Sequence, residues 1–363
     1  MKIATVLGAR PQFIKAAPVS RAFQTYRADH QDRPVREVII HTGQHYDDEM
    51  SAVFFREMSI PEPHYHLGVA SGSHGRQTGQ MLQRIEEVLL HEKPDGVLVY
   101  GDTNSTLAGA LAAAKLNIPL AHVEAGLRSF NRLMPEEINR VLVDHVSSLL
   151  LCPSQVAIDH LRTEGITAGV HLVGDVMADA LSLFSALADS CSDIHERLGL
   201  VKGAYLLATV HRAENTDDPE RLASILSAFG RLDEPIVLPL HPRTKKVIDS
   251  LKLTVPRQVR VIKPVGYLDM IALEKSSRMI LTDSGGIQKE AYWLGVPCVT
   301  LRDETEWVET IESGWNQLVG AEADKIVRAI RSFARPESRP GLYGDGRAAE
   351  RIVDLCIQSH PST

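Results

Sequence analysis

The sequence predicts an α/β protein made of two doubly wound domains, and three observations lead to this fold class. Short apolar runs typical of buried strands alternate with helical patterns along most of the chain. This alternation occurs twice, once on each side of about residue 174. The 363 residues are 44% hydrophobic, which is enough to bury two cores. We expect the two domains to face each other across a cleft.

The elements of the first half follow in order from its apolar runs and turn residues. Strands are predicted at residues 2–7, 38–42, 97–100, 119–123, 149–153 and 171–173. Helices are predicted after the turn at 8–11, from Asp47, at 75–91, up to Lys115 and from Pro135. Because the helix ending at Lys115 joins two apolar runs, the stretch 96–129 predicts a parallel strand-helix-strand unit.

The second half repeats this arrangement. A helix at 176–187 leads into strands predicted at 205–209, 236–240, 259–262 and 279–282. Helices are predicted at 220–229, 268–275 and 287–294. We therefore expect a first domain at 1–173 and a second at 174–342. A tail at 343–363 carries a helix near 348–357, long enough to cross back onto the first domain.

Two carboxylates follow neighbouring strands of the predicted first sheet. Asp102 comes just after the strand at 97–100, and Glu124 ends the next one. Open α/β sheets bind ligands outside the carboxyl ends of their strands, so we expect both side chains in one crevice. The alternative is that Asp102 caps the following helix and Glu124 pairs with Arg128.

Further charged residues follow other elements of this half. Arg10 and Lys15 lie at the positive end of the first helix, where a bound anion would stabilise them. Two solvated cations are the alternative. Glu136 lies in the first turn of the helix from Pro135, where an acidic residue also suits the helix dipole. His41 and His45 lack the intervening glutamate of a zinc protease helix, so no metal site is expected there.

In the second half, residues 282–286 predict an anion site at a strand-to-helix turn. The backbone N–H groups of Ser284, Gly285 and Gly286 would point at the anion. Glu290 lies one turn further on, where it can accept from ribose hydroxyls. A plain turn is the alternative, but His211-Arg212 and His241 follow other strand ends of the same half. We therefore expect a diphosphate next to a ribose.

Composition and missing motifs exclude several classes of protein. Acidic residues exceed basic ones by 46 − 39 = 7 with no basic run, so no nucleic acid is expected to bind. The chain lacks the GxGxxG motif of a Rossmann-type dinucleotide-binding site and the GxxxxGK[ST] motif of a P-loop, which argues against both kinds of nucleotide site. No apolar run approaches about 18 residues, so we expect no membrane span and a cytoplasmic protein.

The cysteines show no paired spacing that would suit a zinc site or a disulfide framework. They are Cys152, Cys191, Cys298 and Cys356. We expect reduced structural thiols.

Six segments together resemble the non-hydrolysing UDP-N-acetylglucosamine 2-epimerases. They are GARP (8–11), GDT (101–103), HVEAGLR (122–128), PEEINR (135–140), DSGGIQ (283–288) and TEW (305–307). The match runs in order over nearly the whole chain. It implies two Rossmann-like domains in the glycosyltransferase-B architecture and inversion of C2 of a UDP-linked sugar.

The resemblance also implies a mechanism and residue roles. UDP would leave C1 as the C2 proton is removed, giving a 2-acetamido-glycal, and would then re-add with a proton from the opposite face. No metal ion, NAD or other cofactor is expected. The proton-handling candidates are Asp102, Glu124 and Glu136, with His211 as a further acid/base or leaving-group contact and Lys15 in support. The expected UDP contacts are Arg10, Arg212, His241, Ser284, Gly285 and Gly286 for the diphosphate and Glu290 for the ribose.

The chain departs from many relatives at three places. It has Gln12 and Lys289 where these relatives have glutamates. It reads Gly-Gln-His-Tyr at 43–46 where they read Ala-Gln-His-Arg, and part of the family's allosteric UDP-sugar site maps near Gln44. The loss of negative charge at Gln12 and Lys289 would suit an anionic sugar such as UDP-2,3-diacetamido-2,3-dideoxyglucuronate. The alternative is that both changes are surface variation. Because of the change near Gln44, the sequence does not decide whether the substrate activates the protein allosterically.

Three other functions are alternatives that would require some of the same sequence features. They are a glycosyltransferase of the same architecture, a hydrolysing epimerase and a non-catalytic UDP-sugar sensor. The resemblance further implies a homodimer formed through the first domain and a role in surface polysaccharide or lipopolysaccharide synthesis.

Overall fold

The computed structural model describes residues 1–43 and 61–359. The predicted helix from Asp47, and the segment with Gln44 and His45, lie outside the described residues, as does the side chain of Arg10. The chain divides into two compact units. The first is Met1–Ser182 with the tail from Leu342, and the second is Leu183–Gly341.

The first unit is built on a parallel sheet whose strands have the order β3-β2-β1-β4-β5-β6-β7. The strands are β1 (Lys2–Leu7), β2 (Arg36–His41), β3 (Tyr65–His66), β4 (Gly96–Tyr100), β5 (Leu120–Val123), β6 (Leu149–Cys152) and β7 (Val170–Leu172). Strands β1, β4, β5 and β6 are largely buried runs, as expected for a sheet covered by helices on both faces. The predicted neighbours β4 and β5 are indeed hydrogen-bonded to each other.

Helices cover both faces of this sheet. They are α1 (Arg10–Asp29), α2 (His74–Glu92), α3 (Asn104–Lys115), α4 (Pro135–Val146), α5 (Gln155–Thr163), α6 (Val176–Cys191) and, in the tail, α15 (Ala348–Gln358). Helices α2 and α3 pack together, and their alanine, leucine and methionine side chains share one core with β1 and β4. Helix α15 packs against α1. The division between the units falls within α6, beyond the predicted boundary at 174.

The second unit repeats the arrangement on a six-stranded parallel sheet of order β10-β9-β8-β11-β12-β13. The strands are β8 (Leu206–Thr209), β9 (Ile236–Pro239), β10 (Val259–Ile262), β11 (Met279–Thr282), β12 (Cys298–Thr300) and β13 (Asn316–Leu318). The helices are α7 (Ile194–Leu198), α8 (Ala213–Thr216), α9 (Pro219–Gly230), α10 (Pro242–Ser250), α11 (Tyr267–Ser276), α12 (Gly285–Leu294), α13 (Val308–Glu312) and α14 (Ala323–Ser332). The predicted fold of two doubly wound α/β domains is confirmed.

Several elements were not predicted. They are β3, β12 and β13 and the helices α5, α7, α8, α10, α13 and α14. The strands among them have only two or three residues, which is too short for a periodicity to show. Helix α12 begins at Gly285, two residues before its predicted start, so both glycines lie in its first turn.

The two sheets share one topological feature that positions polar side chains. In each, the order reverses beside the first strand, between β1 and β4 in one unit and between β8 and β11 in the other. The loops after these strands separate there and leave a crevice at the carboxyl ends. Close packing also occurs at this point: a Cβ on Gly8, just after β1, would collide with the hydroxyls of Thr42 and Ser105.

Within the described ranges, none of the helices combines the length and apolarity that crossing a bilayer requires.

Candidate functional site

Glu124 and Lys15 form a buried ion pair at the carboxyl end of β5. Their side chains are 5% and 17% exposed. Burial disfavours the ammonium, but Glu124, Asp102 and Asp175 together outweigh it and raise the pKa of Lys15. Glu124 has a φ of +70°, a conformation that costs energy for a residue with a side chain and that concentrates at functional sites. The backbone therefore holds this carboxylate in place under strain.

Asp102 lies in the turn after β4 and is paired with Arg140 of α4. The amide of Asn139 donates to the Asp102 carbonyl at 2.8 Å, so α4 holds both the backbone and the side chain of this residue. Gly101, which has a φ of +64°, lets this turn approach the pair described above. A Cβ there would lie 3.4 Å from the Glu124 carboxylate and 3.6 Å from the Lys15 ammonium. Asp102, Glu124 and Lys15 therefore lie together.

Both alternatives considered for the two carboxylates are wrong. The cap of α3 is Thr103, whose hydroxyl accepts from the Thr106 N–H, so Asp102 is left for Arg140. Arg128 is paired with Asp144 and Glu164 instead of Glu124.

Glu136 and its neighbour Glu137 differ sharply in environment. Glu136 is exposed in the first turn of α4, whereas Glu137 is 1% exposed. The Glu137 carboxylate accepts from the N–H and hydroxyl of Ser129 and the N–H of Phe130, and Arg140 is 3.2 Å away. Glu137 therefore holds the loop before α4 and leaves Glu136 as the solvent-facing carboxylate.

Gln12 connects the loops that follow β1 and β4. Its carbonyl accepts from the N–H groups of Gly8 and Ala9, and its amide donates to the Tyr100 carbonyl at 2.7 Å and to the Thr106 hydroxyl. The side chain is 2% exposed, so this departure from relatives is not surface variation. A glutamate could make neither donation when ionised and only one of them when protonated.

In the second unit, Asp283 organises the equivalent crevice. It follows β11, is fully buried, and accepts from the backbone N–H groups of His211 and Arg212 and from the Asn215 amide. Its oxygen also lies 3.1 Å from Nδ1 of His211. Burial alone would raise the pKa of Asp283, but these donors, His211 foremost, lower it. An ionised Asp283 thus fixes both the loop and the imidazole.

The glycine turn and two half-exposed side chains lie beside Asp283. Ser284 caps α12, and its hydroxyl accepts from the Ile287 N–H. A Cβ on Gly285 would lie 3.8 Å from the Arg212 guanidinium and 3.4 Å from the Glu306 carboxylate. The Arg212 and His211 side chains are 37% and 49% exposed, so they can reach a ligand at this helix start. Helix N-termini favour anions.

Glu290 and Lys289, further along α12, are both buried. The Tyr267 hydroxyl donates to Glu290 at 3.0 Å. The pKa of Glu290 is raised, and burial is the main cause. The Lys289 ammonium lies 4.0 Å from the centre of the Trp307 ring. Lys289 is therefore not a surface cation, and its position favours contact with Trp307 over contact with solvent.

Behind Glu290 lies a second buried acid, Glu274 of α11. It is 1% exposed, and neither carboxyl oxygen has a hydrogen-bond partner in the described part of the chain. Burial and the neighbouring Glu290 raise the pKa of Glu274 well above its ordinary range. Burial thus favours the protonated form of Glu274, whereas the donors around Asp283 favour its ionised form.

Two predicted site residues remain. His241 is exposed and caps α10, with its Nδ1 accepting from the Arg243 N–H at 3.2 Å. Arg10 begins α1, next to the crevice of the first sheet. Across the described residues, no three His, Cys, Asp or Glu side chains form a group suited to a metal ion.

Sequence reasoning assigned no role to Asn139, Glu137, Arg140 or Asp283. All four lie inside segments that carried the family resemblance, PEEINR and DSGGIQ. The position of Asp283 directly after a buried strand was the available signal, the same one that identified Asp102.

The comparisons with known proteins agree with one another. The profile of the family described as UDP-N-acetylglucosamine 2-epimerase matches residues 27–356. A Methanococcus maripaludis protein named as a homolog of that epimerase is 54% identical over 98% of this chain and 99% of its own. The UDP-2,3-diacetamido-2,3-dideoxy-D-glucuronate 2-epimerase of Pseudomonas aeruginosa is 53% identical with the same coverage.

A solved structure covers the whole fold. It is the Methanocaldococcus jannaschii UDP-GlcNAc 2-epimerase in complex with UDP-GlcNAc and UDP. It is 44% identical, with a TM-score of 0.86 over 98% of this chain and 99% of that one.

Proposed function

This chain belongs to the UDP-N-acetylglucosamine 2-epimerase family, and we propose that it inverts C2 of a UDP-linked 2-acetamido sugar without hydrolysing it. The observation that carries this proposal is the group of Asp102, Glu124 and Lys15 at adjoining strand ends. Proton removal from a carbon needs positioned carboxylates, and this group provides two, each already beside a cation.

The reaction balances without a redox partner. A carboxylate takes the C2 proton, the electron pair of the C2–H bond forms the C1=C2 double bond, and the C1–O bond breaks with its electrons on UDP. A proton then adds to the opposite face of C2, and UDP re-adds at C1. The candidates for these proton transfers are Asp102, Glu124 and Glu136. Lys15 is the buried cationic partner of Glu124.

The second unit is proposed to hold UDP throughout. At the start of α12 the expected N–H contact of Ser284 is corrected, because this N–H donates to the Thr282 hydroxyl at 2.9 Å. The backbone N–H groups of Gly285 and Gly286 and the Ser284 hydroxyl are the proposed contacts there, and the half-exposed Arg212 and His211 add charge beside them. Such fixed donors stabilise the charge that develops on a departing diphosphate. Arg10 and His241 are proposed as further diphosphate contacts, and Glu290 as the ribose contact.

Two sugars fit the proposal, and turnover without an acceptor distinguishes them. Purified protein is incubated with UDP-N-acetylglucosamine or with UDP-2,3-diacetamido-2,3-dideoxyglucuronate, and the anomeric proton signals are followed. We expect a manno product from one of the two, with UDP remaining attached. A sugar transferred only after an acceptor is added would identify a glycosyltransferase, and free sugar with UDP would identify a hydrolysing enzyme.

We further propose a homodimer formed through α4. Its outer face exposes Ile138, Leu142 and Val146 at successive turns, and Phe130 and Leu133 precede them with 69% and 92% exposure. An apolar surface of this kind marks a protein interface. Sedimentation of the purified chain should give twice the 40.0 kDa mass, and a monomer at micromolar concentration would contradict it. The cytoplasmic location and the polysaccharide role stay predictions.

A further inference from the structure

His122 lies between the two carboxylate-bearing turns of the first unit. It belongs to β5, two residues before Glu124, and its side chain is fully buried. Nε2 lies 2.8 Å from the carbonyl oxygen of Gly101, whose peptide bond leads into Asp102. Nδ1 lies 2.7 Å from a carboxylate oxygen of Asp144. One ring therefore connects strand β5, the turn after β4 and helix α4.

Both partners of this ring are acceptors. A carbonyl oxygen only accepts. The other oxygen of Asp144 accepts from Arg128 at 2.7 Å and from the Gly126 N–H at 3.1 Å. Although burial opposes ionisation, His122 and Arg128 lower the pKa of Asp144. Asp144 is therefore a carboxylate, and only a ring that carries a proton on both nitrogens can donate to these two acceptors at once.

The groups around this ring keep the buried charge balanced. Arg128 makes a two-bond contact with Glu164 at 2.6 and 2.8 Å in addition to its bond with Asp144. With a proton on both nitrogens of His122, two cations would face two carboxylates. The neighbouring Cys152 thiol is neutral, because burial and Asp144 raise its pKa to about 12. His145 lies 3.9 Å from Glu164 at the rim. A neutral imidazole could donate only once and would release either Gly101 or Asp144.

We propose that His122, as a buried imidazolium, is a positioning residue that holds the turn carrying Asp102 in register with the strand end carrying Glu124. It touches neither substrate nor reacting atoms. Its effect is on the relative placement of the two carboxylates, where an error of about 1 Å can cost about 100-fold in rate. The inference rests on the proposed epimerase function, because it assigns those carboxylates to C2 chemistry.

Two substitutions of His122 each keep one of its two hydrogen bonds and remove the other. In His122→Gln the amide nitrogen can replace Nε2, so the bond to Gly101 is kept and that to Asp144 is lost. In His122→Asn the amide nitrogen replaces Nδ1, so the reverse holds. We expect kcat and C2 proton exchange in D2O to fall about 100-fold in His122→Asn and about tenfold in His122→Gln. UDP affinity by calorimetry should stay within about twofold, since UDP is assigned to the second unit.

His91, exposed on α2 of the same unit, supplies matched controls. His91→Asn and His91→Gln should leave both rates unchanged. Equal losses in the two His122 variants, or a parallel loss of UDP affinity, would overturn the proposal in favour of a general packing role. Wild-type protein that shows no C2 exchange would instead contradict the proposed function.

The charge of the ring is tested in wild-type protein, which covers the case that neither variant folds. In protein labelled with ¹⁵N at histidine, His122 is assigned from nuclear Overhauser contacts to its β5 neighbours. We expect two bonded N–H signals from that one ring near neutral pH. A single N–H signal would overturn the proposal whatever the activity.

Discussion

The crevices of the two units arise at the same point of the same strand order but are built from opposite electrostatics. In the first unit the two carboxylates that follow strand ends each have a cation, Lys15 with Glu124 and Arg140 with Asp102. In the second, a buried carboxylate fixes the backbone, while His211 and Arg212 remain about half exposed. One fold thus gives one site suited to moving a proton and another suited to holding an anion. The four variants below test that difference.

The largest effect is expected for Glu124→Gln. Loss of the carboxylate removes a proposed proton acceptor and leaves the Lys15 ammonium buried without its main partner. We expect kcat to fall about 1,000-fold, with UDP affinity unchanged. Turnover and calorimetric UDP binding measure the two quantities, and Glu87→Gln on the exposed face of α2 is the control. A loss of UDP affinity as large as the loss of kcat would contradict the division of roles.

Asp144→Asn should have the next largest effect, on stability. Removing one member of a buried charge network costs about 3 kcal/mol. The pKa of Asp144 in the folded protein lies below its ordinary value of 3.8. The ionised side chain therefore adds to the free energy of unfolding at pH values above 3.8, and this stabilisation is lost as the pH falls through the folded pKa. Urea unfolding of wild type and variant should therefore differ most near neutral pH and converge in acid.

Glu274 of the second unit supplies the opposite case. Its folded pKa is raised above the ordinary 4.5, so the unfolded chain loses this proton first and stability falls as the pH rises. Glu274→Gln cannot ionise and should become more stable than wild type as the pH rises above about 5. The same pH dependence for Glu274→Gln and Asp144→Asn would refute the contrast between the units.

The smallest effect is expected for Gly285→Ala. The new methyl would lie 3.4 Å from Glu306 and from the Trp307 indole nitrogen at the start of α12. We expect UDP affinity to fall about tenfold, as for the loss of one hydrogen bond to a charged group. Gly286→Ala is the matched comparison. Among the residues that the structure describes, its methyl would have the Ser284 hydroxyl, at 3.9 Å, as its one neighbour within 4 Å, so this variant should cost less. Calorimetry measures the UDP affinity of both variants. Equal losses of affinity in Gly285→Ala and Gly286→Ala would count against a close approach of the ligand at Gly285.

The sequence was sufficient to predict the two sheets and the residues that follow their strands. Periodicity and apolar runs identified every strand of four residues or more, and the strand-end rule identified Asp102 and Glu124. It also predicted that β4 and β5 are neighbours, which the strand pairing confirms.

Side-chain partners could not be predicted in this way. Glu124 pairs with Lys15, which is 109 positions away in the chain, whereas the nearby Arg128 pairs elsewhere. Nor could the sequence distinguish exposed Glu136 from buried Glu137, since both suit the first turn of a helix. Burial depends on the tertiary fold. Gln12 and Lys289 show the same limit, since in the sequence they read equally well as surface variation.

The central claim is that the first unit exchanges the C2 proton with solvent while the second retains UDP. The most direct measurement is the deuterium content at C2 of the sugar epimerised by wild-type protein in D2O, followed by proton NMR and mass spectrometry. We predict one deuterium at C2 in every manno product molecule, with no added acceptor or cofactor. A manno product that keeps its original C2 proton would contradict the elimination mechanism and the role given to these carboxylates.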